Sequence, residues 1–225
     1  MPVMSETTEP TPAEHPESSV DTPTPTDAPP TANRDYAERL TRLQGKRWKK
    51  LLRVQAPWHA NIAFLRLGRC LDVGCGNGRN LGNLPEGSVG VDHNAFSIRA
   101  AREQGCEAYT VDEFFADPAL SAPGSFDSML AAHLIEHLQP AQAREVIASY
   151  LPMVRPGGRV VFITPQERGY ASDETHVAFT DFAALRDLSE DLGLQVLSAH
   201  SFPFPRRAGS LFIYNEFHVI AQVGH

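Results

Sequence analysis

Two short stretches hold the residues whose types and spacing could do chemistry. The first is Leu71-Asp72-Val73-Gly74-Cys75-Gly76-Asn77-Gly78-Arg79-Asn80, where apolar residues run into a turn of alternate glycines. Glycine at 74 and 76 lets the backbone come close to a ligand where a Cβ would collide. A helix starting just beyond that turn would aim its first amides at the same ligand. Val89-Gly90-Val91-Asp92 follows, its carboxylate 20 residues after Asp72. An acid at the end of a second strand can accept hydrogen bonds from both hydroxyls of a ribose. A dinucleotide site would use the same acid, but its glycines are spaced G-x-G-x-x-G. Here the third glycine comes one place early, and Arg79 occupies the expected position. The second stretch is Ala132-His133-Leu134-Ile135-Glu136-His137-Leu138. On a short helix His133, Glu136 and His137 would share one face. Read as H-x-x-E-H it also spells a zinc-protease pattern, a reading made unnecessary by the motifs around it.

The elements that must position these residues alternate along the chain. Strand-like runs are expected at Cys70–Val73, Val89–Asp92, Ala108–Val111, Phe126–Ala131 and Arg159–Thr164. Helices are expected around Arg79–Leu84, Ala95–Gln104 and Ala141–Val154. Such alternation with Gly-rich joints implies an α/β domain whose mostly parallel sheet is covered on both faces. A helix over Asp181–Leu192, a run at Gln195–Ser198, a Pro-rich loop and a strand over Leu211–Ala221 suit a closing antiparallel hairpin.

Residues 1–33 are rich in Pro, Thr and Glu and nearly free of large apolar side chains, the composition of a disordered tail. The expected domain is therefore 34–225. The tail holds Glu6, Glu9, Glu14, Glu17, Asp21 and Asp27 and no Lys or Arg; without those six negatives the formal charge of −7 becomes −1. A near-neutral domain gives no electrostatic reason to expect nucleic acid as a partner. Tyr36, Leu40, Leu43, Leu51 and Leu52 recur near helical spacing around the basic Lys46-Arg47-Trp48-Lys49-Lys50, read as a solvated face with Trp48 turned inward. No secretory leader is recognisable, and no apolar run approaches the roughly 18 residues that a membrane-spanning helix needs. Three cysteines without metal-site spacing suit reduced thiols and a cytoplasmic protein.

Asp72-x-Gly74-x-Gly76-x-Gly78, Val89–Asp92, Val111-Asp112-Glu113-Phe114, Phe126-Asp127 and Arg155-Pro156-Gly157-Gly158 come in the order of the class I methyltransferase motifs. Residues 60–221 thereby resemble the S-adenosylmethionine (SAM)-dependent methyltransferases. The resemblance implies a Rossmann-like fold with a seven-stranded sheet. It also implies that Asp72, Gly74, Cys75, Gly76 and Asn80 surround the methionine portion of SAM, and that Asp92 holds the ribose. Asp112, Glu113 and Phe114 would flank the adenine, with simple core as the other reading of Phe114, and His93 and His133 would complete the cofactor shell. Arg155–Gly158 reads as a helix stop and turn.

The Ala132–Leu138 segment is similar to the E-x-x-E-H segment of ubiquinone-pathway O-methyltransferases, which binds a divalent metal. That implies a cation, Mg²⁺ or Mn²⁺, on His133, Glu136 and His137, where it would lower the pKa of an acceptor hydroxyl. His133 replaces the first acid, and two imidazoles suit Mn²⁺ or Zn²⁺ better than Mg²⁺. The alternative is a structural Glu136-His137. A hydroxyl acceptor also needs a base; His137 and His176, the latter in the polar loop Ser172–His176, are the candidates.

The expected acceptor is a small molecule. No Asn/Asp-Pro-Pro-aromatic segment follows the fourth strand, which weakens an amide or base nitrogen as target. Phe202-Pro203-Phe204-Pro205-Arg206-Arg207 could place aromatic faces and guanidinium groups against a sugar or an anion, or be a Pro-stiffened surface loop. Ile163–Tyr170, Thr175–Val177, Ser201–Pro205 and Tyr214–Phe217 resemble actinobacterial sugar O-methyltransferases. Within these they look like the mycobacterial 1-O-methyltransferases of methylmannose polysaccharide synthesis, which cap a 3-O-methylated mannoside. Competing expectations are a quinone- or phenol-directed O-methyltransferase, a non-catalytic SAM-binding regulator, and an NAD oxidoreductase. A homodimer is compatible with all of them.

Overall fold

The computed structural model describes residues 56–224. The proposed tail at 1–33 and the helix and basic run between Tyr36 and Leu52 lie outside the described residues. Seven strands form one sheet in the order β3-β2-β1-β4-β5-β7-β6. Strands β1 (Cys70–Val73), β2 (Val89–Asp92), β3 (Ala108–Thr110), β4 (Phe126–Ala132) and β5 (Val154–Pro165) pair in parallel. Strand β7 (Glu216–Gln222) slots antiparallel between β5 and β6 (Gln195–Phe202), which forms the closing hairpin.

The alternation of side chains along the central strands explains why both faces are covered. Met129 and Ala131 of β4 join one apolar cluster with Phe114, Ile147, Tyr150, Leu185 and Phe217. Leu130 and Ala132 join another with Ile62, Leu65, Val161 and Ile163. Helices α3 (Val111–Ala116), α4 (Pro140–Tyr150) and α6 (Phe182–Asp191) supply the first cluster. Helix α1 (Ala56–Phe64) supplies the second, and α2 (Ala95–Glu103) covers β2 and β3 through Ile98 and Ala101.

Caps set most helix starts. The side chain of Asn94 accepts from the amides of Phe96 and Ser97, and that of Asp181 from Ala183 and Ala184. Thr110 and Glu113 form a capping box, so α3 begins at Val111 and the third strand ends one residue earlier than the apolar pattern implies.

Two expectations fail for local reasons. Arg79–Leu84 is not a helix but a turn with one short 3-10 segment, Leu81–Asn83. Gly78 and Gly82 before Pro85 leave too little helix-forming sequence there. Arg155–Gly158 is not a helix stop. Helix α4 ends at Tyr150, a 3-10 turn spans Leu151–Met153, and 155–158 is the irregular entry into β5, where the register against β4 slips. A Cβ on Gly158 would lie 2.5 Å from Val154 Cγ1 and 2.8 Å from the Asp127 carbonyl oxygen; that slip therefore admits only glycine.

Candidate active site

The carboxyl ends of β1 and β2 carry the glycine turn. Gly74, Gly76 and Gly78 all have positive φ (76°, 54° and 82°), which L side chains rarely adopt. Their amides fold back on the protein rather than pointing at a ligand. Gly74 and Cys75 donate to the Val91 carbonyl oxygen at 2.8 and 3.1 Å, and Gly78 to that of Cys75 at 3.0 Å. The expected amide cradle at a helix start is therefore absent, because no helix starts there.

What the turn does instead is aim Asp92. Gly76 N–H donates to Asp92 Oδ2 at 2.9 Å and Asn94 N–H to Oδ1 at 2.8 Å. Each carboxylate oxygen keeps lone-pair capacity for a ribose hydroxyl. His93 is exposed, its Nδ1 3.6 Å from Asp92 Oδ1. Cys75 is buried beneath the turn; a Cβ on Gly90 would come within 2.7 Å of its sulfur. Asp72 is 1% exposed with neither carboxylate oxygen hydrogen-bonded. Burial pushes its pKa up to about 7, against the pull of Arg79. Such an unmatched buried acid fits a cationic ligand group, and the ammonium of a methionine moiety is one.

The adenine side differs from expectation. Phe114 is completely buried, its ring 5.3 Å from Phe115 and 5.7 Å from Tyr150. It is core, because the capping box turns that face of α3 inward. Glu113 is committed to the box and to Arg102 at 2.7 Å. Asp112 alone of the three is exposed without those commitments, on the first turn of α3 beyond β3.

The other half of the sheet carries the second group. After β4 the chain turns through His133, a non-glycine residue at φ 58°, into a 3-10 turn, Ile135–His137. The expected common face is not formed. His133 Nδ1 lies 3.2 Å from Glu136 Oε1 and Nε2 3.0 Å from Glu216 Oε1. Carboxylates only accept, so both ring nitrogens are donors and neither offers a lone pair to an ion. Burial would lower its pKa, but the bonds to Glu136 and Glu216 prevail and raise it to about 9.

Glu136, His137 and His176 come together instead, with one donor atom of each within 4.8 Å of the others. His137 Nδ1 donates to the Thr175 carbonyl oxygen at 3.1 Å, and His176 Nδ1 to that of Tyr170 at 2.7 Å. These bonds assign the lone pair of each ring to Nε2, as for an imidazole oriented by its outer partner. Burial lowers the His137 pKa, against Glu136, favouring the neutral ring. Glu136 is fully buried, and its Oε2 has no hydrogen-bond partner. Two imidazole rings beside a half-satisfied carboxylate, His137 favoured as neutral, can take a proton or ligate a cation.

Helix α1 and the β6–β7 connection wall a separate space on the His133 side of this group. Trp58 meets Phe202 and Tyr214 edge-on at 6.0 and 6.1 Å, and Phe212 packs between Phe204 and Tyr214. A narrow cleft beneath them is lined by Trp58, Asn61, Asn80, His133, Glu216 and His218. Arg206 does not face an anion: it is paired with Glu167 and lies over the Phe217 ring. A broader hollow lies between Arg144, Leu151 and Leu194, at the other end of the sheet, and is lined by none of these residues.

Sequence reasoning assigned no role to Glu216, His218, Trp58 or Asn61. One signal was present. Glu216 and His218 put polar groups on one face of a strand whose other face, Phe217, Val219 and Ala221, is wholly apolar.

An acid at the end of β2 and a glycine turn on one half of a 3-2-1-4-5-7-6 sheet, with a polar centre on the other, define a SAM-dependent methyltransferase fold. Residues 33–199 match the methyltransferase domain family, and the chain belongs to it. It is 33% identical over 118 residues to the ubiquinone biosynthesis O-methyltransferase of Burkholderia multivorans, covering 49% of this chain and 50% of that protein. It is 28% identical over 130 residues to a mouse tRNA (carboxymethyluridine(34)-5-O)-methyltransferase, covering 53% and 19%. The chain spans about half or less of the length of these curated relatives. Among solved structures, magnesium protoporphyrin IX methyltransferase from Synechocystis shares the fold at TM-score 0.62 and 15% identity, over 86% of this chain and 97% of that one. No helix among the described residues is long and apolar enough to cross a membrane.

Proposed function

We propose that this chain methylates a hydroxyl group of a small acceptor with SAM, and that Glu136, His137 and His176 form the reaction centre. The observation that carries this reading is their convergence, one donor atom of each lying within 4.8 Å of the others. In the reaction a sulfonium–methyl bond breaks, an oxygen–methyl bond forms, and the hydroxyl proton must leave. His137, with Nδ1 held by Thr175, takes that proton on Nε2; His176 is aligned for the same task by Tyr170. Asp92 binds the ribose, Asp72 the ammonium of the methionine portion, and Asn80, His93 and Asp112 border the same site. Positioning supplies much of the acceleration, since the sulfonium is already reactive.

A divalent cation fits Glu136, His137 and His176, one carboxylate and two imidazoles suiting Mn²⁺ better than Mg²⁺. It would replace the expected set by exchanging His133 for His176. When bound, it supplies a Lewis acid that lowers the pKa of the acceptor hydroxyl.

The preferred acceptor is a sugar, on the resemblance of the 163–177 and 201–217 segments to sugar O-methyltransferases acting on 3-O-methylated mannosides. Trp58 and Tyr214 offer aromatic faces to the apolar side of a sugar ring. A phenol or quinone acceptor is the second reading. It is favoured by the apolar wall of Phe202, Phe204, Phe212 and Tyr214, by the commitment of Arg206 to Glu167, and by the ubiquinone-pathway relative. The near-neutral charge beyond residue 33 supports either of these over a nucleic acid.

The test is S-adenosylhomocysteine release across 3-O-methylated mannosides, plain sugars and catechols, each with Mg²⁺, Mn²⁺ or EDTA. Turnover on a mannoside supports the sugar reading, and its loss in EDTA supports the cation. Turnover on catechols alone moves the acceptor to phenols. If SAM binds but no hydroxyl acceptor turns over, the assignment of the reaction centre fails.

A further inference from the structure

The last strand reaches into the reaction centre. Glu216 opens β7 as a carboxylate 6% exposed, inserted between two imidazoles: Oε1 accepts from His133 Nε2 at 3.0 Å, Oε2 from His218 Nε2 at 3.1 Å. His218 is in turn capped by Asn61 of α1, whose Nδ2 lies 3.4 Å from His218 Nδ1. On the other side His133 Nδ1 donates to Glu136 Oε1 at 3.2 Å. Five buried or half-buried polar side chains thus form one line from α1 across β7 to the 3-10 turn after β4.

The backbone supports that line at its outer end. Gln166 is fully buried, and its Nε2 donates to the Glu216 carbonyl oxygen at 3.0 Å and to Ser201 Oγ at 2.8 Å. Asn215 Nδ2 donates to Gln166 Oε1 at 2.8 Å. The first residue of β7 is therefore clamped to the ends of β5 and β6. At the inner end His133 sits in the left-handed region, which disfavours a side chain with a Cβ by about 1–2 kcal/mol.

Stability alone gives poor reason for this arrangement. Buried ionic groups at best roughly break even against apolar packing, and backbone strain clusters where function demands it. Its inner terminus is the one carboxylate of the Glu136–His137–His176 group, and among the described residues the Glu136 side chain has no other hydrogen-bonded anchor.

We infer that Glu216 is a positioning residue, which through His133 holds the Glu136 carboxylate so that Oε2 faces His137 and His176. This rests on the reading of those three residues as the reaction centre. The β6–β7 hairpin then serves as a brace for the centre as well as its wall. Removing Glu216 frees His133 to leave its left-handed backbone position, and Glu136 loses its orientation without being itself changed.

The test needs no acceptor. Ring N–H protons of His133 are followed by nitrogen-edited NMR in the wild-type protein and in Glu216→Gln, with Glu136→Gln used to assign the Nδ1 partner. The expected result is that Glu216→Gln alters both ring protons, including the one directed at Glu136, while the melting temperature and SAM affinity stay near wild type. If only the Nε2 proton changes and the Nδ1 contact with Glu136 persists, Glu216 does not hold Glu136 and the inference falls. Loss of folding and SAM binding together would make the line merely structural and also overturn it. His133→Asn, which leaves the Glu216–His218 pair in place, is the second variant. Mn²⁺ binding, read by electron paramagnetic resonance, should weaken by about tenfold or more in both variants. Wild-type affinity in both overturns the positioning role. Absence of Mn²⁺ binding in the wild type instead rejects the cation, and the ring protons then decide the brace alone.

Discussion

The two halves of the sheet are built by different means. In the cofactor half, Asp72, the glycine turn and Asp92 come from one run of about twenty residues, and backbone amides do the positioning. Gly76 and Asn94 orient Asp92 through two hydrogen bonds that depend on chain path alone. In the acceptor half, Glu136, His137 and His176 are oriented by Thr175, Tyr170, His133 and Glu216, side chains and carbonyls from three separate segments. A site held by local backbone tolerates change in distant elements. One assembled from distant elements transmits such change to its centre.

The largest expected effect tests the acceptor half. His137→Ala should lower turnover by about 10²–10⁴, the worth of a positioned acid–base group, and His176→Ala should act in the same direction. Calorimetry should find SAM affinity within about twofold of wild type. Equal loss of SAM binding would show that the two halves are not separable.

Next comes Asp92→Asn, which should weaken SAM by roughly 10–100-fold, the loss of a charge-assisted hydrogen-bonding acceptor worth about 1.5–3 kcal/mol. Unchanged affinity would remove Asp92 from the ribose.

Asp72 sharpens the contrast, because it opposes stability and binding within one side chain. Its folded pKa of about 7 lies above the unfolded 3.8. As pH rises through that window the unfolded chain releases a proton that the folded one retains. Stability of the ligand-free protein from this group is therefore greatest below about 4, falls between about 4 and 7, and stays low above. Asp72→Asn should flatten that slope and raise the melting temperature at pH 8 by the equivalent of about 1–3 kcal/mol, while SAM binds more weakly. A slope unchanged in the variant would refute the buried charge.

The smallest effect is expected from Arg206→Met. Its pair with Glu167 is exposed on both sides, so denaturant unfolding should shift by less than about 1 kcal/mol. A large loss of acceptor affinity in this variant would reinstate Arg206 as an acceptor-binding group.

Much of the fold was legible in the sequence because its signals are local. Cys70–Val73 and Val89–Asp92 are strands with the bounds that the apolar runs imply, since a central parallel strand is buried on both faces. Errors occurred where a local competitor was overlooked. Thr110-x-x-Glu113 caps a helix that Val111 was expected to precede, and glycines at 78 and 82 prevent the helix expected at 79–84. In the candidate site, Asp72, Gly74, Gly76 and Asp92 were proposed from their motif, and the fold gathers them around the carboxyl ends of β1 and β2. Phe114 was read either against the adenine or as core, and it is core; motif position does not reveal which way a helix face turns.

The sequence by itself determined the class of fold, the order of the parallel strands' motifs and the glycine turn between β1 and β2, because each depends on residues near one another in the chain. The tertiary structure alone decided that His176, not His133, joins Glu136 and His137. It also decided that Glu216 backs them. The first follows from the loop after β5 folding onto the 3-10 turn, where Val177 N–H donates to the Glu136 carbonyl oxygen at 2.8 Å; the second follows from β7 inserting between β5 and β6, a pairing that brings residues 83 positions apart within 3.0 Å. No periodicity records such a pairing, because the hydrogen bonds and buried charges that favour it exist only after the sheet has closed.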